Sequence, residues 1–219
     1  MLQRTSPLDL DSLLQDLPAK LQPLARRGML KRYGKGVLLI EEGALGDSLY
    51  VLLSGRVKAY SSDESGREIV YGVFGPGDYV GEIGLDGGPR SASVITLEPC
   101  TCAVVTRSAL EAHIAENPAF AFELLSLVIA RARLTTARAK EMALLDVYGR
   151  IAHLLKSSAV PAADGTAALA ERLTHAEMAA RVGCSREMVT RILGDLRTGG
   201  YVETRDGLLT LLKPLPSHW

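Results

Sequence analysis

Three charged side chains near the carboxyl end of the chain have types and a spacing that could recognise DNA bases. They are Arg186, Glu187 and Arg191, within the segment VGCSREMVTRIL of residues 182–193. An arginine guanidinium is a planar fork that matches the O6 and N7 acceptors of guanine, and a glutamate carboxylate can accept from the N4 amine of cytosine. The same residue types are common on any exposed helix, where a glutamate in the first turn also complements the helix dipole. Whether these residues recognise DNA therefore depends on the elements around them.

The residues around this segment predict two short helices joined by a tight turn. Thr174 and Glu177 form a T-x-x-E capping box that would begin the first helix. Gly183 would supply the turn, and Ser185 is a good N-cap for the second helix. Apolar residues recur at the spacing of one buried stripe on each helix: Met178, Ala179 and Val182 on the first, then Val189, Ile192 and Leu193 on the second. This pattern is typical of a helix-turn-helix.

A β-hairpin is predicted directly after the second helix. Two apolar-rich runs between Tyr201 and Leu212 flank Asp206-Gly207, a dipeptide that suits the positive backbone angles of a two-residue type I′ turn. A helix-turn-helix followed by such a hairpin is a winged helix-turn-helix, which favours DNA binding over an ordinary surface helix. The candidate DNA-binding residues are Ser185, Arg186, Glu187, Thr190 and Arg191.

A second set of residues with suitable chemistry lies in the first half of the chain, in residues 81–85 (GEIGL) and 89–92 (PRSA). A cyclic nucleotide needs an acceptor for its ribose 2′-hydroxyl, a cation for its phosphate and backbone N–H groups that can approach closely. Glu82, Arg90 and Ser91 and the glycine-rich backbone would supply these groups. Glycines at the corners of a β-barrel are the alternative explanation of the same spacing.

The rest of the first half is predicted to form short strands separated by turns that contain glycine. The predicted strands are Val37–Ile40, Leu49–Leu53, Arg56–Ala59, Ile69–Phe74, Ala92–Leu97 and Thr101–Val105. Many short strands with frequent turns indicate a closed or rolled antiparallel sheet.

A long helix is predicted from about Ala119 to Lys156, because neither proline nor glycine interrupts it before Gly149. Such length is typical of an interface helix. The residues that fit one heptad seam are Phe120, Leu124, Leu127, Leu134 and Leu145, with Arg131, Arg138 and Glu141 on the same seam. A helix that packs only on its own sheet is the alternative interpretation.

Together these motifs resemble the CRP/FNR family of bacterial transcription regulators, from about residue 24 to residue 212. The resemblance implies an α+β fold with an N-terminal cyclic-nucleotide-binding β-roll of the double-stranded jelly-roll type, a long dimerisation helix and a C-terminal winged helix-turn-helix. We expect these parts at residues 1–118, 119–156 and 157–219. In the family, residues matching Arg186, Glu187 and Arg191 recognise a TGTGA-type half-site, which implies a similar palindrome in double-stranded DNA here.

The resemblance also implies an effector. Residues 81–92 are similar to the phosphate-binding cassette of cyclic-nucleotide-binding domains, although the stretch from Leu85 to Arg90 is shorter than in the family. The implied ligand-binding residues of the cassette are Gly81, Glu82, Ile83, Arg90 and Ser91, with Glu82 on the ribose and the last two on the phosphate.

The dimerisation helix is implied to complete the ligand site. In the family, residues aligned with Thr135 and Thr136 contact the adenine, one from each subunit of a homodimer, which makes cyclic AMP the implied effector. Its binding would shift the dimer to an arrangement in which both recognition helices fit DNA grooves about one turn apart.

The charge of the chain gives little general support to DNA binding. It has 25 basic and 25 acidic side chains, and residues 159–219 are also balanced. Phosphate neutralisation supplies most non-specific affinity for DNA. We therefore expect weak non-specific binding and a strong dependence on dimerisation.

The sequence favours neither a metal, haem or iron-sulfur cofactor nor an enzyme. Three cysteines cannot make a closed disulfide framework, and Cys100, Cys102 and Cys184 are interpreted as buried or bystander thiols. Iron-sulfur relatives carry a cysteine group near the N-terminus and haem-binding relatives an axial histidine in the sensor domain. The histidines here are His113, His153, His175 and His218, of which only His113 lies in the sensor region, on an expected solvated helix. No catalytic constellation is present.

Localisation and partners follow from the same observations. No apolar run approaches the ~20 residues needed to span a bilayer and no signal peptide is visible, which predicts a cytoplasmic protein with no membrane partner. RNA polymerase is an expected partner, although residues 157–170 do not match the surface with which the family contacts it. Two alternatives stay open: the same fold with another effector, such as cyclic di-GMP or cyclic GMP, or none, and a cyclic-nucleotide-binding regulatory subunit that acts on a protein.

Overall fold

The structure is a computed structural model that describes residues 10–64 and 66–217. It separates into two units. The first comprises Met1–Ser61 and Val70–Ala132, and the second comprises Ser62–Ile69 and Arg133–Trp219. His218 lies outside the described residues.

Among the described residues up to Val105, eight strands form two sheets. They are β1 (Met29–Tyr33), β2 (Leu38–Ile40), β3 (Leu49–Ser54), β4 (Val57–Ser62), β5 (Glu68–Phe74), β6 (Tyr79–Val80), β7 (Ser93–Thr96) and β8 (Cys100–Val105). One sheet has the order β1-β8-β3-β6 and the other β2-β7-β4-β5. The registered pairs in both sheets are antiparallel. This confirms the predicted rolled sheet and, within about three residues at each end, all six predicted strands.

The alternation of side chains along β3 explains how the first unit makes its core. Leu49, Val51 and Leu53 point to one face, where they pack with residues of the helices. Leu52 points to the other face and packs between the two sheets. A strand buried on both faces is an almost continuous apolar run, as the sequence of β3 is.

In the described part of the first unit, four helices begin: α1 (Leu10–Gln15), α2 (Gln22–Arg26), α3 (Arg107–Glu116) and α4 (Ala119–Leu144). The second unit contains α5 (Val147–Ser158), α6 (His175–Val182) and α7 (Arg186–Thr198). Its strands are β9 (Ala159–Pro161), β10 (Ala167–Leu169), β11 (Val202–Arg205) and β12 (Leu208–Leu211), in the order β11-β12-β10-β9. Helices and antiparallel sheets together confirm the α+β class. Within the described residues, no helix is long and apolar enough to cross a bilayer.

The prediction of one continuous helix from Ala119 to Lys156 was wrong. The helix ends at Leu144, and Asp146 is extended, with φ −69° and ψ 178°. Its carboxylate accepts a hydrogen bond of 2.7 Å from the Gly149 backbone N–H and so caps α5. Arg150 holds this corner, because its guanidinium donates to the carbonyl of Leu145 at 2.8 Å.

The cysteines are free thiols, as predicted. Cys100 and Cys102 are buried in β8, and Cys184 is partly buried. Burial raises the pKa of Cys102 to about 12 and raises the pKa values of the other two thiols. Protonated thiols are poor nucleophiles and metal ligands. No group of three metal-ligating side chains occurs among the described residues.

The expectation that His113 lies on a solvated helix face was also wrong. The residue is only 2% exposed. The chain turns at Asn117, whose backbone and side-chain N–H groups donate to the His113 carbonyl, and returns as α4. Phe120 then lies edge-on against the imidazole, with ring centroids 4.9 Å apart. The buried Nδ1 atom has no hydrogen-bond partner among the described residues.

This histidine should make the stability of the first unit depend on pH. Burial lowers the pKa of His113 from 6.5, and the nearby Arg27 lowers it further. Below pH ~6.5 the unfolded chain therefore takes up a proton that the folded protein resists, and the free energy of unfolding falls as the pH drops. We expect urea denaturation to show a larger loss between about pH 7.5 and 5.5 in the wild type than in His113→Leu. His153→Gln, which changes a half-exposed imidazole, is the control that should keep the loss. An equal loss in His113→Leu would contradict the account.

Candidate functional site

The turn between α6 and α7 forms as the sequence predicts. Thr174 accepts from the Glu177 backbone N–H at 3.2 Å, and the Glu177 carboxylate accepts from the Thr174 backbone N–H at 2.7 Å, which completes the capping box. Gly183 ends α6 with a positive φ of 69°, a conformation that glycine adopts without strain. Arg150 donates to the Val182 carbonyl at 2.8 Å and joins α5 to this turn.

The second helix of the motif presents one buried and one exposed face. Ser185 caps α7 by accepting from the Met188 backbone N–H at 3.2 Å. The buried residues of α7 are Val189, Ile192, Leu193 and Leu196. The exposed residues in the first half of α7 are Arg186, Glu187, Thr190 and Arg191, together with the cap Ser185. All five predicted DNA-binding residues therefore lie at one accessible end of the helix.

The exposed side chains differ in what they contact. Among the described residues, Arg186 and Glu187 make no side-chain hydrogen bond or ion pair, so both are available to a partner. The Arg191 guanidinium donates to the Sδ atom of Met188 at 3.0 Å. Thr190 differs most, because its hydroxyl is bonded to the Arg186 carbonyl at 3.0 Å and to His175.

The hairpin after α7 has the predicted turn. Asp206 and Gly207 have φ values of 49° and 80°, as a type I′ turn requires. Asp206 is the single non-glycine residue with positive φ among the described residues. Arg205 on β11 forms ion pairs with Glu203 and, at 3.5 Å, with Asp164. The wing of the winged helix-turn-helix is thus present.

In the first unit, the glycine-rich cassette encloses Arg90. Its guanidinium donates to the carbonyls of Gly81 at 2.6 Å and Ser48 at 2.8 Å, and the residue is 7% exposed. A Cβ atom at Gly84 would lie 3.0 Å from Arg90 Nη1 and 2.9 Å from the Gly46 carbonyl oxygen. The glycines therefore allow the backbone to approach the Arg90 guanidinium closely. The corner of a β-barrel alone would not require this approach.

The carboxylate of the cassette is already paired. Glu82 is 6% exposed, begins the short 3₁₀ turn Glu82–Asp86, and forms an ion pair with Arg131 of α4. The Arg131 guanidinium also donates to the Tyr79 carbonyl at 2.8 Å and lies 4.7 Å from the Phe74 ring centroid. Arg131 is a site residue that sequence reasoning missed. The signal was its position as one of three charges on the predicted heptad seam.

The remaining predicted ligand residues lie at different places. Ser91 and Ile83 are exposed, and with Gly81, Glu82 and Arg90 they form the cassette in the first unit. Thr135 and Thr136 are exposed on α4, in the part of the helix that belongs to the second unit.

The predicted heptad seam of α4 is divided, because its first three residues pack on the first unit whereas Leu134 is 50% exposed. Phe120 is buried, and Leu124 and Leu127 pack against the core of the first unit. A different stripe is exposed, at positions i, i+3 and i+7: Phe122 at 73%, Leu125 at 52% and Ile129 at 42%. The seam along which α4 packs on its own domain and the stripe open to a partner are therefore two faces of one helix.

Two family models match the parts of the chain that contain the candidate sites. The family model "Cyclic nucleotide-binding domain" matches residues 30–117, and the model "Crp-like helix-turn-helix domain" matches residues 149–214. The first range contains the Arg90 cassette, and the second contains α6 and α7.

Curated relatives match across most of the chain. The CRP-like cAMP-activated global transcriptional regulator of Mycobacterium tuberculosis is 31% identical over 189 residues, 84% of each chain. The cAMP-activated global transcriptional regulator CRP of Escherichia coli O157:H7 is 32% identical over 171 residues, which cover 75% of this chain and 80% of that protein.

Solved structures include similar folds. The c-di-GMP-responsive global regulator CLP of Xanthomonas campestris has a TM-score of 0.76 at 26% identity, covering 88% of this chain and 98% of that one. The catabolite activator protein of Thermus thermophilus has a TM-score of 0.54 at 27% identity, covering 91% and 92%. These domains and relatives are those of regulators and not of enzymes. The chain belongs to the CRP/FNR family of transcription regulators, with a cyclic-nucleotide-binding domain and a DNA-binding helix-turn-helix.

Proposed function

We propose that this protein is a cytoplasmic, cyclic-AMP-responsive transcription regulator that binds TGTGA-type palindromes as a homodimer. The observation that carries the proposal is the cassette around Arg90, a buried cation enclosed by glycine backbone next to a carboxylate. The proposed DNA-binding surface is the accessible start of α7, where Arg186 and Glu187 are available to contact bases. RNA polymerase is the further partner that we propose.

The charges of the cassette favour a mononucleotide. Glu82 and Arg131 compensate one another, which leaves Arg90 as the uncompensated charge of the three. A single cyclic phosphate carries one negative charge, whereas cyclic di-GMP carries two. An uncompensated charge in a buried place is costly, so the ligand whose charge matches Arg90 is favoured.

The base of the ligand is assigned from the threonines of α4. The hydroxyls of Thr135 and Thr136 can accept hydrogen bonds from the exocyclic amine of adenine. Guanine in its usual orientation would not present an amine at the same place. Two relatives whose names describe them as cAMP-activated support the same choice.

In the proposed mechanism, ligand binding changes the interactions of Arg131. A ribose 2′-hydroxyl that donates to Glu82 must share that carboxylate with the Arg131 guanidinium, and Arg131 is part of α4. The ligand therefore changes the interactions that hold α4 against the cassette. We assign the exposed stripe of Phe122, Leu125 and Ile129 to the second copy of the chain, so that this change shifts the dimer towards its DNA-binding arrangement.

The principal alternative is the same switch with a different effector. It is favoured by the 26% identity with the regulator CLP, which is described as c-di-GMP-responsive. Calorimetric titration of the protein with cyclic AMP, cyclic GMP and cyclic di-GMP distinguishes these effectors. A regulatory subunit that acts on a protein receives less support, because the Crp-like helix-turn-helix match points to DNA.

Replacement of Arg90 should remove the response to cyclic AMP. A charge-assisted hydrogen bond contributes ~1.5–3 kcal/mol, so we expect Arg90→Lys, which keeps the charge but loses the fork, to bind cyclic AMP about 10- to 100-fold more weakly in calorimetry. Arg90→Ala should abolish binding, at some cost in stability because two buried carbonyls lose their donor. Circular dichroism and the oligomeric state control for folding. Undiminished affinity in a folded Arg90→Lys protein would exclude the phosphate assignment.

Replacement of Arg131 should weaken the coupling between ligand and DNA. Arg131→Lys keeps the charge near Glu82 but cannot at once pair with the carboxylate and bond the Tyr79 carbonyl in the same planar geometry. We expect the gain in DNA affinity caused by cyclic AMP to fall by about fivefold or more, within the usual range of coupling energies. Arg133→Lys, an exposed neighbour on the same helix, should keep the full gain. Equal gains in the two variants would contradict the role of Arg131.

Replacement of Arg186 should reduce sequence preference. We expect Arg186→Ala to lose about 1–3 kcal/mol on the target duplex and to relax discrimination at one base position, measured by fluorescence anisotropy on a set of single-base variants. Arg172→Ala, an exposed arginine outside α7, is the matched control. A uniform loss across all duplexes would identify Arg186 as a phosphate contact instead.

A further inference from the structure

A hydrogen bond between two side chains joins the two helices of the helix-turn-helix at its surface. The Nδ1 atom of His175, the first residue of α6, lies 2.8 Å from the Oγ1 atom of Thr190 on α7. Thr190 is exposed and follows Arg186 by one helical turn, so the two share a face. His175 has no role in the ligand site or in base recognition as described above.

The second bond of Thr190 determines which imidazole nitrogen carries the proton. Its hydroxyl donates to the Arg186 carbonyl at 3.0 Å, because a carbonyl oxygen can only accept. A hydroxyl has one proton, so His175 Nδ1 must be the donor to Oγ1. In the neutral ring Nε2 is then an acceptor. After protonation Nε2 becomes a donor and the ring carries a positive charge.

The surroundings leave Nε2 available. It has no hydrogen-bond partner within the described part of the chain. The charged residues on the elements that meet here are Glu171 and Arg172 before α6, Glu177 and Arg181 on α6, and Arg186, Glu187, Arg191, Asp195 and Arg197 on α7. The nearest carboxylates in sequence are engaged elsewhere, because Glu177 bonds to Thr174 and Glu171 pairs with Arg181.

We propose that His175 is a contact to the DNA backbone, in which the protonated ring donates from Nε2 to a phosphate oxygen, and that Thr190 is the positioning residue that orients the ring. The proposal rests on the proposed function, since the first helix of a helix-turn-helix crosses the backbone when the second occupies the major groove. A neutral ring presents a lone pair to the phosphate and cannot make this bond. The hydroxyl of Thr190 is then used within the protein, and its methyl group is left to contact bases.

This contact makes DNA affinity depend on pH. The protonated ring makes this bond and the neutral ring does not, so binding strengthens when a lower pH protonates the ring. Phosphate contacts carry no sequence information, and the effect therefore applies equally to target and unrelated DNA. Each added phosphate contact also steepens the dependence of log affinity on log salt by about one unit per subunit.

The test is fluorescence anisotropy with the full chain and saturating cyclic AMP, on a TGTGA palindrome and a scrambled duplex, at about pH 8 and about pH 5.5 over a range of salt. In the wild type we expect affinity for both duplexes to rise severalfold at the lower pH, with a steeper salt slope. His175→Gln, which cannot gain a charge, should lose both effects. His175→Lys, charged at both values, should show the steep slope throughout, and Thr190→Val should reduce the pH effect by releasing the ring.

The controls separate this assignment from the proposed function. His153→Gln changes a histidine of α5 outside the motif and should keep the whole pH effect. A pH effect that persists unchanged in His175→Gln, or that is confined to the palindrome, would overturn the phosphate contact while leaving the regulator intact. Failure to bind either duplex at any pH would overturn the proposed function and this assignment with it.

Discussion

The ion pair between Glu82 and Arg131 is the interaction on which the rest of the structure depends. An isolated carboxylate in a protein interior costs several kcal/mol, and Glu82 is almost fully buried. Its partner comes from α4, the long helix that follows the sensor sheets, and the same guanidinium bonds to the Tyr79 carbonyl and covers the Phe74 ring. The ion pair therefore joins the cassette to α4. Any ligand that hydrogen-bonds to the Glu82 carboxylate must change this ion pair.

The proposed conformational change depends on this ion pair. A ligand can shift a conformational equilibrium only by its differential affinity for the two states, and here the difference lies in how Glu82 and Arg131 are satisfied with and without it. The exposed apolar stripe of α4 is on the helix that carries Arg131, so a change at the cassette reaches the proposed dimer interface without a long pathway. Because the chain is neutral overall, we expect the proposed dimer to depend on the spacing of its two recognition helices more than on general attraction to DNA.

Features set by neighbours in sequence could be predicted, and features set by distant contacts could not. The capping box of Thr174, the cap at Ser185 and the turn at Asp206 depend on residues within one or two turns, and each formed as predicted. The burial of His113 depends on Phe120 returning over it after a change of direction at Asn117. A pattern calculated along one helix does not contain that information.

Two features of the long helix could not be predicted from the sequence for the same reason: where it ends and which of its faces is exposed. Asp146 is a strong N-cap for α5, but neither proline nor glycine marks the end of α4 before it. The heptad pattern identified apolar residues that pack on the domain, such as Phe120 and Leu124, and did not include the exposed stripe of Phe122, Leu125 and Ile129. Two apolar stripes on one helix can be told apart only when the sheet beneath it is in place.

The most direct test of the central claim is the affinity of the wild-type chain for a TGTGA palindrome as cyclic AMP is titrated at fixed salt and pH. The account predicts that affinity rises by about tenfold or more and reaches a plateau at one cyclic nucleotide per subunit. The same affinity with and without cyclic AMP, together with a rise on addition of cyclic di-GMP, would contradict it.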